Sequence, residues 1–378
     1  MTISEFLQDR ISAAHIMVVG CGALGNEVLK NLALSGVGHI IVVDFDVVEQ
    51  DNLPHSVLFS LEDAEMGRLK VDVVANSLHS INPRIEVTSI CGDIAYDVGL
   101  GILREMDVVI GCVDNRWARY CINRLCMRAG IPWVDGGIDG LEGTARVFVP
   151  EVNCYACNLG VEGLRDLAYR MPCAGTIRRN IMAGKAPTTS ITASVIGAIQ
   201  VQEALKLLHP EALKEKRLTS LAGHMFCFEG QHLTTRMVAF KGYDTNCPVH
   251  EQWSPIEKTS MTTTWTVNDT LTWIRKHTNE KDVSIQLVND CFVDKVTLRS
   301  NDTQFTVMKP GRAVSDIIAK NEQLSDVPLR DFYQHEYHEV DEAFPYQHIT
   351  LAALGIPDRE VLLVRAVSRE FYFELSET

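Results

Sequence analysis

The chain has 378 residues and a formal net charge of -14, with 35 Lys and Arg residues against 49 Asp and Glu residues. This length suits two domains with a core each, and the acidic balance disfavours nucleic acid or an anionic membrane surface as a partner. The first ten residues, MTISEFLQDR, contain no apolar signal region, so we expect a cytoplasmic protein. Eleven cysteines in such a chain indicate thiols, metal ligands or a nucleophile rather than a disulfide framework.

The first 240 residues alternate predicted strands with predicted helices. Short apolar runs predict strands at 15–20, 39–44, 84–87, 107–112, 132–137, 144–150, 225–228 and 234–239. Apolar residues at helical spacing predict helices at 28–34, 71–80 and 190–209. This alternation predicts a doubly wound, Rossmann-like α/β domain over residues 1–258.

The pattern changes after Cys247. Residues 259–264 are polar and predict a linker, after which Asn268 is predicted to cap a helix. The remaining chain predicts strands at 283–288, 295–298, 304–307, 361–366 and 371–374, with helices at 314–319 and 350–354. Residues 265–378 are therefore expected to form a small α+β domain of ubiquitin-like, β-grasp type.

A glycine-rich segment follows the first predicted strand. Gly20, Gly22 and Gly25 form a Gly-x-Gly-x-x-Gly pattern, which lets backbone N–H groups approach phosphates at a helix N-terminus. By itself this pattern is typical of a nicotinamide or flavin dinucleotide site, with Asp44 binding the ribose hydroxyls.

Further polar residues favour a different reaction. Asp46 and Asn52 are followed by Lys70, and later by Asp114 and Asn115. A dehydrogenase needs no lysine and no Mg²⁺-binding aspartate around the phosphates, whereas attack at an α-phosphate needs both to offset negative charge. As an ordered set, these residues predict adenylylation with ATP and Mg²⁺.

Two pairs of potential metal ligands stand far apart in the chain. Cys154-x-x-Cys157 and Cys247-x-x-His250 each have the spacing that directs two side chains at one ion, and together they make a Cys₃His set for Zn²⁺. The alternative is a vestigial site with free thiols.

Cys173 lies in a polar stretch, Met-Pro-Cys-Ala-Gly-Thr, ahead of Arg178 and Arg179. Nearby cations increase the thiolate fraction of a cysteine, and a thiolate can capture an activated acyl group. Cys173 is therefore the predicted nucleophile, and a buried structural thiol is the alternative.

Several motifs together resemble the ubiquitin-activating enzyme superfamily, and within it most of all the catalytic subunits of neddylation-activating enzymes. They are GCGALG, NLALSGVGHI, VVDFDVV, DNL, GRLK, VDNRWAR and DGGIDGLEGTARVFVP. The resemblance implies that the C-terminal glycine of a ubiquitin-like protein is adenylylated with Mg·ATP and moved to a catalytic cysteine as a thioester. It also implies transfer to a conjugating enzyme recruited by the C-terminal domain, and a homodimer.

The resemblance assigns roles by motif. Asp44 would bind ribose, Lys70 a phosphate and Asp114 Mg²⁺, while Asp46 and Asn52 would line the ATP site. Cys173 matches the catalytic cysteine, on a loop (158–189) much shorter than the domain of eukaryotic relatives. The C-terminal acidity, ten Asp and Glu residues against three Lys and Arg residues over 331–378, would then attract the conjugating enzyme.

The chain departs from the family at two arginines. Asn52-Leu53 is followed by Pro54-His55-Ser56 where the family has a phosphate-facing arginine, and His55 or Arg68 could replace it. For the N-terminal arginine that some members lend across a dimer, Arg10 is the candidate. Three other functions remain: a sulfur-carrier adenylyltransferase of molybdopterin or thiamine synthesis, an inactive scaffold that binds a ubiquitin-like protein, and a dehydrogenase.

Overall fold

The structure is a computed structural model that describes residues 7–150, 152–170, 189–240, 242–247, 249–321, 324–325 and 327–378. Within these residues the chain divides into two compact units. Unit 1 comprises the described residues of Met1–Ala95, Leu103–Glu162 and Ala186–Gln252, and unit 2 comprises those of Tyr96–Ile102, Gly163–Lys185 and Trp253–Thr378. None of the described helices combines the length and apolarity that a bilayer span requires.

Unit 1 is built on an eight-stranded sheet. Its strands are β1 (His15–Val19), β2 (His39–Val43), β3 (Glu86–Ile90), β4 (Val108–Gly111), β5 (Trp133–Asp139), β6 (Glu142–Phe148), β7 (His224–Glu229) and β8 (Thr234–Ala239). They lie in the order β3-β2-β1-β4-β5-β6-β7-β8, and the pairs from β3 to β5 are parallel. The predicted alternation is therefore confirmed for the first five strands.

The remaining strands of this sheet are antiparallel. Only Gly140 and Leu141 separate β5 from β6, and Gly140 has a φ of 57°. A parallel neighbour would need a crossover of a dozen or more residues, so this short turn forces β6 to run back along β5. The sheet is consequently mixed, whereas the strand and helix alternation predicts a parallel one.

The first part of the chain contains nine described helices. They are α1 (Gln8–Ser12), α2 (Ala23–Ser35), α3 (Leu61–Glu65), α4 (Lys70–Ile81), α5 (Leu100–Leu103), α6 (Arg116–Ala129), α7 (Tyr155–Arg170), α8 (Ser190–Leu207) and α9 (Pro210–Lys214). Helices α2 and α8 pack closely, because a Cβ atom at Gly197 would lie 2.9 Å from Glu27 Cβ. Val28, Leu29 and Leu32 of α2 are completely buried in the core beside β1 and β2.

Unit 2 contains two smaller sheets. One has the order β14-β10-β15-β16-β9 and the other β12-β11-β13. The strands are β9 (Ile256–Lys258), β10 (Val283–Gln286), β11 (Phe292–Leu298), β12 (Gln304–Pro310), β13 (Phe332–Tyr337), β14 (Glu339–Val340), β15 (Val361–Ala366) and β16 (Glu370–Glu374), with helices α10 (Val267–Thr278) and α11 (Gly311–Lys320). The α+β composition agrees with the prediction, while the ubiquitin-like fold remains a proposal.

Two local predictions in unit 2 change once the structure is known. Thr266, not Asn268, caps α10, because its hydroxyl oxygen accepts the Asp269 N–H at 3.1 Å. The polar residues 259–264 belong to unit 2, where Met261 is completely buried and its carbonyl accepts the Ser376 N–H. A buried side chain and backbone hydrogen bonds thus anchor a segment whose composition suggests a linker.

A buried carboxylate lies in the smaller sheet of unit 2. Asp294 sits where the pairing of β11 shifts register, and it accepts hydrogen bonds of 2.8 Å from both the His335 ring and the Tyr346 hydroxyl. Burial alone would raise the pKa of Asp294, but these hydrogen bonds outweigh it and hold the pKa below its usual value.

Candidate functional site

The glycine-rich loop connects β1 to α2. Gly20 has a φ of 98°, and a Cβ atom there would lie 2.6 Å from Cys112 O. A Cβ atom at Gly25 would lie 2.0 Å from Gly20 O, whereas one at Gly22 would meet nothing within 4 Å. Gly20 and Gly25 therefore allow close packing, while Gly22 leaves open space at the N-terminus of α2. No side chain among the described residues caps this end, so its N–H groups can face an anion.

Asp44 ties this loop to the end of β2. Its carboxylate accepts the Cys21 N–H at 2.7 Å through Oδ2 and the Asp46 N–H at 2.8 Å through Oδ1. Burial raises the pKa of Asp44. The carboxylate thus shapes the loop, and its role as a ribose ligand stays a prediction.

Lys70 supplies a largely buried cation beside these acids. Its Nζ lies 2.9 Å from Asp46 Oδ2, and its N–H donates to Asp46 O at 3.0 Å. Burial alone would lower the pKa of Lys70, but the charges of Asp44 and Asp46 outweigh it and raise the pKa. Lys70 therefore remains protonated, as a residue that neutralises a phosphate must.

Asp114 and Asn115 lie after β4, beside the loop that follows β1. Asp114 is exposed, and its Oδ1 accepts a hydrogen bond of 3.2 Å from Asn115 Nδ2. The Asn115 Oδ1 accepts the Ala118 N–H at 2.8 Å and so caps α6. Both the NH₂ group and the carbonyl oxygen of Asn115 therefore have partners within the protein. The hydrogen bond from its NH₂ group orients the Asp114 carboxylate.

The predicted replacements for the missing arginine differ in their surroundings. The Arg68 guanidinium lies 2.8 Å from Asp63 and 2.7 Å from Glu62, so two carboxylates already balance its charge. His55 ends the short 3₁₀ helix Gln50–His55 and is half-buried. Asn52 lies in the same helix, where its Oδ1 accepts the Glu49 N–H at 3.0 Å. The two carboxylates beside Arg68 weaken the hypothesis that Arg68 replaces the missing phosphate-binding arginine.

Arg10, the candidate for the N-terminal arginine, is bound within its own chain. Its Nη1 lies 2.6 Å from Glu211 Oε2 and donates to Leu208 O at 3.1 Å.

A buried charge network next to this edge was missed by the sequence reasoning. Asp135, which is completely buried, lies 2.9 Å from Arg119 Nε and 2.7 Å from Arg146 Nη2. The Arg119 Nη2 also donates to Val113 O at 2.6 Å and to Gly136 O at 2.9 Å. Arg119 thereby holds α6 against the ends of β4 and β5. The signal in the sequence was an aspartate inside the apolar strand PWVDGG.

The four predicted metal ligands come together. The ligand atoms of Cys154, Cys157, Cys247 and His250 all lie within 4.8 Å of one another, and Cys157 Sγ lies 3.2 Å from His250 Nε2. A tetrahedral zinc ion would place such atoms about 3–4 Å apart, so the donor set fits zinc in number, type and spacing.

The surroundings of this cluster also suit a cation. Burial raises the pKa of Cys247 to about 12 and lowers that of His250. A metal ion bound here would displace the thiol protons. The Tyr243 ring stacks on His250 with ring centres 3.7 Å apart, which fixes the plane of the imidazole.

The predicted nucleophile, Cys173, lies outside the described residues, as do Arg178 and Arg179. On α6, burial raises the pKa of Cys121 to about 12 and also raises that of Cys126. These two thiols are therefore poor nucleophiles.

Comparison with known proteins now adds a family. The sequence profile of the ThiF family matches residues 1–249. The chain belongs to the ThiF family. The match spans the glycine loop, the acids and lysine at the sheet edge, and three of the four clustered metal ligands.

Relatives of this ThiF-family chain carry related names. The SAMP-activating enzyme E1 of Haloferax volcanii is 31% identical over 242 residues, which are 64% of this chain and 82% of the relative. The sulfur carrier protein adenylyltransferase of Thermus thermophilus is 31% identical over 248 residues, with shares of 64% and 84%. The mouse adenylyltransferase and sulfurtransferase MOCS3 is 31% identical over 243 residues, with shares of 64% and 48%.

Solved structures agree on the fold. A crystal structure of E. coli MccB with succinimide matches with a TM-score of 0.52 and 24% identity, over 64% of this chain and 68% of MccB. From the family profile and the named relatives, the chain is an enzyme of the adenylyltransferase kind, and the resemblance is confirmed at the level of the superfamily. The closer likeness to neddylation-activating subunits stays a prediction, because these relatives do not show it.

Proposed function

We propose that this ThiF-family enzyme uses ATP to adenylylate the C-terminal carboxylate of a small ubiquitin-like or sulfur-carrier protein. The observation that carries the proposal is the protonated Lys70, held by Asp46 at the sheet edge where the glycine loop presents the N-terminus of α2. A dinucleotide site has no need of such a buried lysine among carboxylates. The names of the relatives support the class of substrate.

In the proposed reaction, a carboxylate oxygen of the carrier protein attacks the α-phosphorus of ATP. The bond from that phosphorus to the pyrophosphate oxygen breaks, so that an acyl adenylate forms and pyrophosphate leaves. The α2 N-terminus at Gly22 and the Lys70 ammonium would offset the negative charge that develops. Asp44 would bind the ribose, and Asp46 and Asn52 would line the nucleotide site.

Asp114 would hold Mg²⁺, which supplies charge neutralisation at the phosphates. Its exposed carboxylate is oriented by Asn115 and points from the start of a helix that Arg119 anchors. The four-ligand cluster would hold a structural zinc ion. Its four protein ligands would fill all four positions of a tetrahedral ion and leave none open for a reactant.

Two candidate functions differ in what happens to the adenylate after it forms. The names of the relatives favour transfer to a sulfur-carrier pathway over a ubiquitin-type relay. The relay remains a second candidate because unit 2, with apolar cores of its own, extends beyond the residues that the family profile matches. In that candidate, Cys173 would form a thioester and the acidic unit 2, as a ubiquitin-like domain, would recruit a conjugating enzyme. A homodimer and a cytoplasmic location belong to the same proposal.

ATP–pyrophosphate exchange tests the shared first step. The purified chain is mixed with ATP, labelled pyrophosphate and candidate carrier proteins, and a carrier lacking its C-terminal residues serves as the control. We expect exchange only with an intact carrier C-terminus. If no ubiquitin-like or sulfur-carrier protein supports exchange while ATP still binds, the scaffold alternative replaces the proposal.

A second measurement separates the two fates. An adduct between the chain and the carrier that reductant removes, and that Cys173→Ala abolishes, indicates the thioester relay. Conversion of the carrier C-terminus to a thiocarboxylate with a sulfur donor, unaffected by Cys173→Ala, indicates the sulfur-carrier pathway.

A further inference from the structure

One buried amide connects the cysteine and histidine cluster to helix α6. Asn123 has no exposed surface, and it lies two turns beyond the Asn115 cap. Its Nδ2 donates a hydrogen bond of 3.2 Å to Cys154 Sγ. The nucleotide site does not use Asn123, and the adenylylation reaction alone offers no reason for an amide at this position.

The orientation of this amide follows from its other contacts. The Asn123 Oδ1 accepts the Tyr155 N–H at 2.9 Å and lies 3.4 Å from Trp133 Nε1. Both of these partners are donors, so the atom facing them must be the carbonyl oxygen, and the NH₂ group must face the sulfur.

The buried Asn123 NH₂ group directed at the Cys154 sulfur suits a thiolate much better than a thiol. A neutral thiol is a weak acceptor, whereas hydrogen bonds to an ionised acceptor are shorter and about twice as strong as neutral ones. The buried amide is therefore matched to the state in which Cys154 is a metal-bound thiolate.

We propose that Asn123 is a positioning residue of the metal centre, which orients the Cys154 thiolate and couples the centre to the helix that begins beside Asp114. The inference rests on the proposed zinc site and goes beyond the proposed adenylylation. From Asn115 to Asn123 is a rise of about 12 Å along α6. The Asn123–Cys154 contact thus joins the proposed metal centre to the helix whose N-terminal cap, Asn115, donates to the Mg²⁺ candidate Asp114.

The test replaces Asn123 by Asp in the full chain. Asn123→Asp keeps the size and the accepting oxygen but puts a carboxylate in place of the donor. We expect its zinc affinity, measured by competition with a chelator of known affinity, to fall roughly 10- to 100-fold, as is usual when an outer-shell partner is lost. Trp133→Phe is the matched control, because it removes one contact to the Asn123 oxygen and leaves the donor to sulfur; its affinity should stay near wild type.

Cobalt substitution gives a readout that a merely structural role would not move. A hydrogen bond to a thiolate lowers the energy of its donor electrons, so losing it should shift the sulfur-to-Co²⁺ charge-transfer absorption to longer wavelength in Asn123→Asp but not in Trp133→Phe. Asn123→Ser, measured in the same way, takes its place if the Asp variant does not fold.

The outcomes separate this proposal from those on which it rests. A wild-type chain that binds no zinc overturns both the metal site and the role of Asn123. Wild-type zinc binding with unchanged affinity and spectrum in the folded Asn123 variant overturns the role of Asn123 alone. Lack of pyrophosphate exchange bears on the adenylylation proposal and leaves this one standing.

Discussion

Lys70→Met is the substitution that most directly examines the nucleotide site. Methionine keeps much of the length of the lysine stem and packs in its place, but it carries no charge. If Lys70 neutralises a phosphate in the transition state, pyrophosphate exchange should fall roughly 100- to 1000-fold, equivalent to about 2.7–4 kcal/mol.

The same substitution should affect stability much less. The side chain of Lys70 is 9% exposed, but that of its partner Asp46 is 54% exposed. Water therefore screens the pair, and its loss should cost about 1 kcal/mol, the range of surface pairs, rather than the roughly 3–5 kcal/mol of a fully buried pair. Lys70→Met also removes a positive charge that lowers the pKa of Asp44 and so partly offsets the effect of burial.

Lys206→Met provides the matched control. Lys206 Nζ lies 2.5 Å from Glu203 Oε1 on α8, with side chains 19% and 3% exposed, so the pair is more buried than that of Lys70 but lies outside the candidate site. Urea unfolding should show an equal or greater loss of stability in Lys206→Met, with exchange near wild type. Exchange by Lys70→Met within about threefold of wild type, or an equal loss in both variants, would refute the assigned role.

Three further predictions concern other parts of the chain. Asp114→Asn should reduce exchange by roughly 100- to 1000-fold and raise the Mg²⁺ concentration needed, while unfolding stays nearly unchanged because Asn115 still caps α6; exchange at wild-type level would exclude Asp114 as the metal ligand. Protein purified without added zinc should contain one zinc ion per chain by elemental analysis, and Cys154→Ser should lose both the metal and thermal stability; a metal-free wild type contradicts this. Asp294→Asn should lower stability at pH 6, where the wild-type carboxylate is ionised, and the gap to wild type should close as pH falls below about 4, through the lowered pKa of the folded state; a gap independent of pH would show that the charge of Asp294 contributes nothing.

Sequence alone determined the features that depend on local pattern. The inner parallel strands β1 and β4 are buried on both faces, so they appear as short apolar runs such as HIMVV and VVIG, and the alternation of strands with helices predicts the fold. The glycine loop is equally local, because the positions of Gly20 and Gly25 are set by backbone approaches that leave no room for a Cβ atom. Cys-x-x-Cys spacing places two ligands on one ion whatever the rest of the fold does.

Other features depend on which side chain reaches which partner. Arg68 and Lys70 are two residues apart, yet Arg68 is balanced by Asp63 and Glu62 while Lys70 points to Asp46, 24 residues earlier. Asn115 has a side chain that could bind the nucleotide, but in the structure it caps helix α6. In each case several polar groups compete for one partner, and only the folded backbone decides the distances between them.

The clearest example is the metal cluster and its buried amide. Each half of the cluster is visible in the sequence, but Cys157 and His250 are 93 residues apart, and the sheet and α7 bring them together. Asn123 has no pattern that distinguishes it from any other asparagine on a helix. Its role appears only because the tertiary structure buries its carbonyl oxygen against two donors and leaves its NH₂ group facing a sulfur, where an unpaired amide would cost about 1–3 kcal/mol.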